Sequence, residues 1–210
     1  MLGRQTAHAF AAREHALALL GTDQNKLDSL ARELNLPVDR LLTSIVDLRN
    51  GPAVHSTAEA VSAKFGRVDG LIHLIGGWVG GRTLSEARED DLDSMLGQHV
   101  WTTFHLFQAF TPKLAANGWG RVLAISASTV PNPPGKSGPY TAAKAAQENL
   151  MLTLAAELKP SGVTSNIIQV RSIDVENKGT GTTPADIIAA ILYLFSDEAA
   201  KITGARIPLY

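Results

Sequence analysis

The sequence predicts an α/β domain, a parallel sheet with helices packed on both of its faces. Two observations carry this assignment. Short apolar runs of strand length alternate along the whole chain with longer segments whose apolar residues recur at helical spacing. The joints between them are clusters of Gly, Asp, Asn and Pro, the residues that end strands and start or stop helices. The 210 residues suit one domain with a sizeable core, and no repeat, linker or low-complexity segment divides them.

Taken in order, Gly3 to Glu14 reads as a helix with Ala7, Phe10 and Ala11 on one side. His15 to Leu20 is a buried strand, ended by Gly21-Thr22-Asp23. Asn25 to Leu34 is an amphipathic helix carrying Leu27, Leu30 and Leu34. Leu41 to Val46 is a second strand. Pro52 opens the next helix, which runs to Phe65. Asp69 to Ile75 is a third strand, ended by Gly76-Gly77-Trp78-Val79-Gly80-Gly81. Ser85 to Leu114 is helical, in two segments meeting near Gly97. Gly120 to Ser126 and Val163 to Val170 are strands flanking a helix over Thr141–Leu158. Thr183-Pro184-Ala185-Asp186 combines a cap with proline at the first helical position. Ala205 to Tyr210 is a last short strand, and Gly179 to Thr183 is the one segment expected to be mobile.

Composition limits the function classes. A net charge of −1 gives no attraction to nucleic acid or an acidic membrane surface. No apolar run reaches the ~20 residues of a membrane span, and the first residues lack a signal-peptide core. Cysteine is absent, which removes disulfides and thiolate chemistry and fits a reducing cytoplasm. The histidines at 8, 15, 55, 73, 99 and 105 do not cluster with metal-ligand spacing.

The chemistry-bearing stretch is Gly138-Pro139-Tyr140-Thr141-Ala142-Ala143-Lys144. On a helix, Tyr140 and Lys144 lie one turn apart on the same face. A phenol ordinarily titrates near pH ~10, which makes it a poor acid or base at neutral pH. A neighbouring ammonium favours the phenolate, and lowering the pKa by about three corresponds to roughly 4 kcal/mol. The pair suits proton exchange with a carbonyl or alcohol oxygen. The plainer alternative is a solvated helix face.

Tyr140-Thr-Ala-Ala-Lys144, on a helix after a strand ending in serines, resembles the short-chain dehydrogenase/reductase family. Gly66-Arg67-Val68-Asp69, Asp47-Leu48, Gly120-Arg121-Val122 and Ala199 to Ala205 resemble further landmarks of that family, so the likeness spans the chain. It implies a Rossmann-like doubly wound sheet and hydride transfer between a nicotinamide and a carbonyl or alcohol. Tyr140 would then be general acid/base and Lys144 its assistant. The resemblance places the cofactor against Gly3, Thr22, Asp47, Leu48, Gly76, Gly77, Tyr140, Lys144 and Ile173. Where the family places an acidic residue for the ribose hydroxyls, at the end of the His15–Leu20 strand, the aligned position is Gly21, followed by Thr22, which favours NADP slightly over NAD. The family also implies a homodimer or homotetramer assembled through the Ser85–Leu114 and Tyr140–Leu158 helices, with Trp101, Phe104, Leu106, Phe107 and Phe110 supplying apolar surface.

The departures from the family are specific. Met1-Leu2-Gly3 aligns with the end of the family's glycine-rich turn, so residues 1–210 read as one N-terminally shortened domain whose first, central strand is missing. That loss opens a gap of roughly 9.5 Å between buried strands, at ~1–3 kcal/mol for each backbone group left unpaired. The expected remedies are upstream residues, closure of the sheet, or a strand from another chain. Ala127 stands where the family places a serine, flanked by Ser126 and Ser128; His99 stands for an asparagine; His73-Leu74-Ile75-Gly76 replaces Asn-Asn-Ala-Gly; and Val170-Arg171 replaces Pro-Gly. Arg171 is a candidate for an anionic group. Gly76 to Gly81 and Gln98 to Thr102 resemble dihydropteridine reductase within the family. A non-catalytic scaffold retaining the fold is the rival to the enzyme.

Overall fold

The computed structural model describes residues 1–210. Helix α1 (Leu2–Ala11) leads into β1 (Leu17–Gly21), α2 (Gln24–Leu34), β2 (Leu41–Ile45), α3 (Gly51–Phe65) and β3 (Gly70–His73). Then come α4 (Glu89–Leu96), α5 (Thr102–Ala116), β4 (Gly120–Ala127), α6 (Gly138–Leu158), β5 (Val163–Val170), α7 (Pro184–Leu194) and β6 (Arg206–Pro208). Each predicted element is present within a few residues of its expected bounds. Local chemistry explains the starts. Asp23 accepts from the Lys26 N–H at 3.1 Å to cap α2, Asn50 accepts from the Ala53 N–H at 3.1 Å to cap α3, and Thr183 accepts from the Asp186 N–H at 3.2 Å to cap α7. Helix α6 begins at Gly138, three residues before the expected start, because Pro139 tolerates a first-turn position.

The strands form two sheets. One holds β1 and β2; the other runs β3-β4-β5-β6; every pairing is parallel. Two apolar cores lie on opposite faces. Val54, Ala58, Leu106, Phe110, Leu114 and Met151 of α3, α5 and α6 pack on one side of Val122, Ala124 and Ile167. Leu2, Phe10, Ile187 and Ile191 of α1 and α7 pack on the other, against Leu123, Ile168 and Val170. β4 and β5 are buried on both faces, and polar residues of β5 find partners there: Ser165 donates to the Met151 carbonyl and Asn166 to the Ile202 carbonyl.

Between β1 and β3 lies a cavity of about 1600 Å³, lined by every residue of both strands. Their facing edges have no strand partner. The gap expected beside β1 is present, and the sheet does not close over it. Helices on both faces span the two halves. Arg4 of α1 reaches Glu33 of α2 at 2.6 Å, the Phe10 and Phe195 rings meet edge-on at 5.0 Å, and Lys113 of α5 bonds Glu59 of α3 at 2.8 Å.

Residues 179–183, expected to be mobile, are tied back. Asp174 accepts from the Lys178 and Thr180 N–H groups at 3.0 and 3.1 Å, and Ile173 bridges Thr182.

Candidate functional site

Tyr140 and Lys144 occupy the first two turns of α6 and lie on its sheet-facing side, as their spacing predicts. Lys144 is 5% exposed. Its Nζ donates to the Ile125 carbonyl at 2.7 Å and to Gln147 Oε1 at 2.9 Å. Gln147 Nε2 donates in turn to Thr103 Oγ1 at 2.9 Å, and that hydroxyl donates to the His99 carbonyl at 2.6 Å. This buried chain couples α6 to the helix in front of it. Burial pushes the Lys144 ammonium down to about 8, with Glu148 acting the other way.

The expectation that Lys144 acidifies Tyr140 is not met in the protein alone. Burial raises the Tyr140 phenol above its usual value. The Lys144 ammonium spends its bonds on Ile125 and Gln147, and its field falls on the two buried histidines instead. Tyr140 is thereby held as a protonated phenol, a donor.

His99 sits on a π-helical turn, Gly97–Trp101, that interrupts the run from α4 to α5 and swings the ring inward, where it is fully buried. This is the break foreseen near Gly97. The His99 Nε2–H donates to the Gly77 carbonyl at 3.1 Å, because a carbonyl only accepts, so Nδ1 is left as a bare acceptor without a partner. Burial, and secondarily Lys144, bring its pKa down to about 4, which keeps the ring neutral. The Tyr140 ring meets His99 edge-on with centroids 5.6 Å apart. His73 repeats the pattern. Its Nε2 bonds Thr102 Oγ1 at 3.1 Å, its Nδ1 has no partner, and burial pushes its pKa to about 3.

The remaining site residues are spread along the ends of the strands. Gly3 lies in the first turn of α1, whose N-terminus has no side-chain cap, so its free N–H groups suit an anion. Thr22 follows β1 and is exposed; the next carboxylate, Asp23, is occupied in capping α2. Asp47 is gripped by Arg49 through contacts at 2.7 to 3.1 Å, and its carboxyl falls to about 2. Leu48 is a core residue whose carbonyl accepts from His105 Nδ1 at 3.0 Å. A Cβ on Gly76 would come within 3.0 Å of the buried His99 ring, whereas one on Gly77 would meet only the flexible end of the Gln98 side chain. Ile173 is 39% exposed.

Beside Tyr140 is a second cavity of about 320 Å³, walled by Trp78, Gly81, Ala127, Thr129, Pro134, Gly135, Lys136, Ser137 and Arg171. Ala127, not Ser126 or Ser128, faces it. Ser126 is buried with its hydroxyl unpartnered. Thr129, Lys136, Gln147, Thr103 and Glu148 were not singled out in the sequence; nothing local marks residues whose partners lie on other elements. Glu148 joins Gln169 at 2.9 Å and Arg206 at 2.6 Å. Of the five apolar residues expected to supply an assembly surface, Trp101 (53%) and Phe104 (38%) are exposed, whereas Leu106, Phe107 and Phe110 turn inward to the core.

The residues fit a dinucleotide in part. The uncapped N-terminus of α1, the glycines at 76 and 77 and the bare Nδ1 atoms of His73 and His99 provide polar and close-approach surface, whereas Asp47 is already paired. A profile of the short chain dehydrogenase family matches residues 2–183. Cis-2,3-dihydrobiphenyl-2,3-diol dehydrogenase of Pseudomonas putida is 30% identical over 98% of this chain and 78% of its own. The 3-oxoacyl-(acyl-carrier-protein) reductase of Escherichia coli is 25% identical over 97% and 88%. A solved short chain dehydrogenase from Bacillus anthracis is 25% identical with a TM-score of 0.88, covering 100% of this chain and 90% of that one. The NADPH-bound short chain oxidoreductase of Pseudomonas aeruginosa, described as containing an atypical catalytic center, superposes with a TM-score of 0.90 at 22% identity, covering 99% and 90%, and shares the fold.

Proposed function

The chain belongs to the short-chain dehydrogenase family, a family of oxidoreductases, and from that premise we propose that it reduces a carbonyl compound with a nicotinamide cofactor. The observation that carries this reading is Tyr140, held protonated on the wall of a cavity of ligand size, one helical turn from a lysine fixed by two hydrogen bonds. The cofactor, when bound, supplies the hydride. This chain's residues do the rest. Tyr140 donates the proton to the substrate oxygen as negative charge develops there. Lys144, anchored on Ile125 and Gln147, sets the position of the first turns of α6 and offers an ammonium to the cofactor's ribose. Gly3, Thr22, Asp47, Leu48, Gly76, Gly77 and Ile173 are the residues that would hold it. The relatives' structures include both NADPH- and NAD⁺-bound members. The absence of a free carboxylate after β1 favours NADP.

Ala127 supports a second reading. With no hydroxyl there to polarise a carbonyl, a substrate that needs little polarisation, as in the dihydropteridine reductase resemblance, or a non-catalytic scaffold would also be served. Titration of NADPH and NADH, followed by the fluorescence of Trp78, Trp101 and Trp119, separates the readings. Saturable NADPH binding is expected, with NADH weaker. No binding of either nucleotide overturns the oxidoreductase and favours the scaffold. The exposed pair Trp101 and Phe104 supports self-association, which mass photometry tests by a dimer or tetramer at micromolar concentration.

A further inference from the structure

We infer that the substrate carries an anionic group and that Arg171, with Lys136, reads it. The inference rests on the oxidoreductase reading for the word substrate, but not for the binding site. Arg171 and Lys136 both line the 320 Å³ cavity that holds Tyr140. No Asp or Glu is among the lining residues. Carboxylates on the flanking loops are engaged elsewhere: Glu86 with Thr83 at 2.7 Å, Asp91 with Arg82 and Arg88 at 2.9 and 2.7 Å, and Asp174 with the Lys178 and Thr180 backbone. Glu176 pairs with Lys178. Two cationic residues therefore line one small cavity whose wall contains no carboxylate.

Three further features of the same wall point the same way. The cavity includes Ser137, the residue before α6, so the positive end of a 21-residue helix adds to the field. Thr129 Oγ1, also on the wall, is a buried hydroxyl without a partner. The Lys136 backbone is fixed: it adopts φ 64°, and its carbonyl accepts from the Gly81 N–H at 2.8 Å, which ties the α6 approach to the Trp78 loop. Trp78, 63% exposed, adds an apolar surface to the same lining. The arrangement suits a small, flat carbonyl compound bearing a carboxylate or phosphate, its planar oxygens matched by a guanidinium fork.

The test uses 4-formylbenzoate and its neutral methyl ester as probes of the full chain. Binding is measured by calorimetry with and without NADP⁺, and turnover by NADPH consumption. The anion should bind at least tenfold more tightly than the ester. Arg171→Met should weaken the anion by roughly ten- to a hundredfold and leave the ester unchanged. Arg171→Lys should recover part of the loss, and Lys136→Met should cost less. Because both side chains are exposed, the variants should fold, which circular dichroism verifies. Equal binding of acid and ester, an Arg171→Met variant that keeps the preference, or failure of both probes to bind would overturn the inference. Arg171-dependent anion binding without any NADPH consumption would keep the anion site and sink the oxidoreductase reading instead.

Discussion

The two halves of the molecule are built to different standards. In the half from β3 to β6, β4 and β5 are paired on both edges and nearly every residue is buried. In the half made of β1 and β2, each residue of β1 is only partly buried, and one edge of that strand faces the 1600 Å³ cavity. Tyr140, Lys144, the two neutral histidines and the smaller cavity all belong to the first half; Thr22 and Asp47, expected at the nucleotide, belong to the second. On the proposed reading, the proton donor rests wholly on the well-packed half, whereas the cofactor-binding residues are divided between the two.

The sharpest way to break this comparison is Tyr140→Phe. We expect turnover to fall by roughly 10²- to 10⁴-fold with unfolding by urea unchanged, since the phenolic oxygen makes no hydrogen bond within the protein. A variant that retains full activity would remove the chemistry from the rigid half. Next in size is core truncation. Ile168→Ala, at a fully buried position of β5, should cost about 2–5 kcal/mol. Leu19→Ala in β1 should cost well under half of that, because its side chain borders empty space. Equal costs in denaturant melts would show that the halves are equally consolidated.

A smaller effect separates the halves by pH. His99 and His73 have folded pKa values near 4 and 3, below their ordinary 6.5. Between those values and 6.5 the unfolded chain binds more protons than the folded one. Stability is therefore full above pH 6.5 and declines as pH falls through the folded values. His99→Asn should flatten that acid slope, as measured by melting temperature against pH; an unchanged slope would place the titration elsewhere. Lys144 adds the same sign in alkali. With its folded pKa near 8 against 10.5, stability rises between those values, and Lys144→Met should remove the rise. The smallest effect is in backbone protection. Amides of β1 should exchange with deuterium faster than those of β5, and equal protection would erase the contrast.

The sequence was most legible where chemistry is local. Helical spacing placed Tyr140 and Lys144 together, Pro52 and Thr183-Pro184 marked the starts of α3 and α7, and a short apolar run marked β1. It was least legible where partners come from far along the chain. Nothing near Lys144 announces that its ammonium will donate to the Ile125 carbonyl, or that burial will raise the Tyr140 phenol in the protein alone. Nothing near Arg171 announces Lys136 and Trp78. That Leu106, Phe107 and Phe110 face inward was illegible for the same reason: the other members of that core lie on β4 and α3. The gap beside β1 was legible only through the family likeness.

The wide turn at Gly97–Trp101 has a consequence for how this chain tolerates change. A turn bonded i to i+5 holds one more residue than a regular one. Deleting a single position there would let the helix heal into an unbroken α-helix, with α4 and α5 each keeping their own neighbours. His99 would rotate away from Tyr140 and Gly77, and its carbonyl would leave the Thr103 hydroxyl that carries the hydrogen-bond chain to Lys144. The wide turn thus ties the imidazole and the lysine network to the same extra residue.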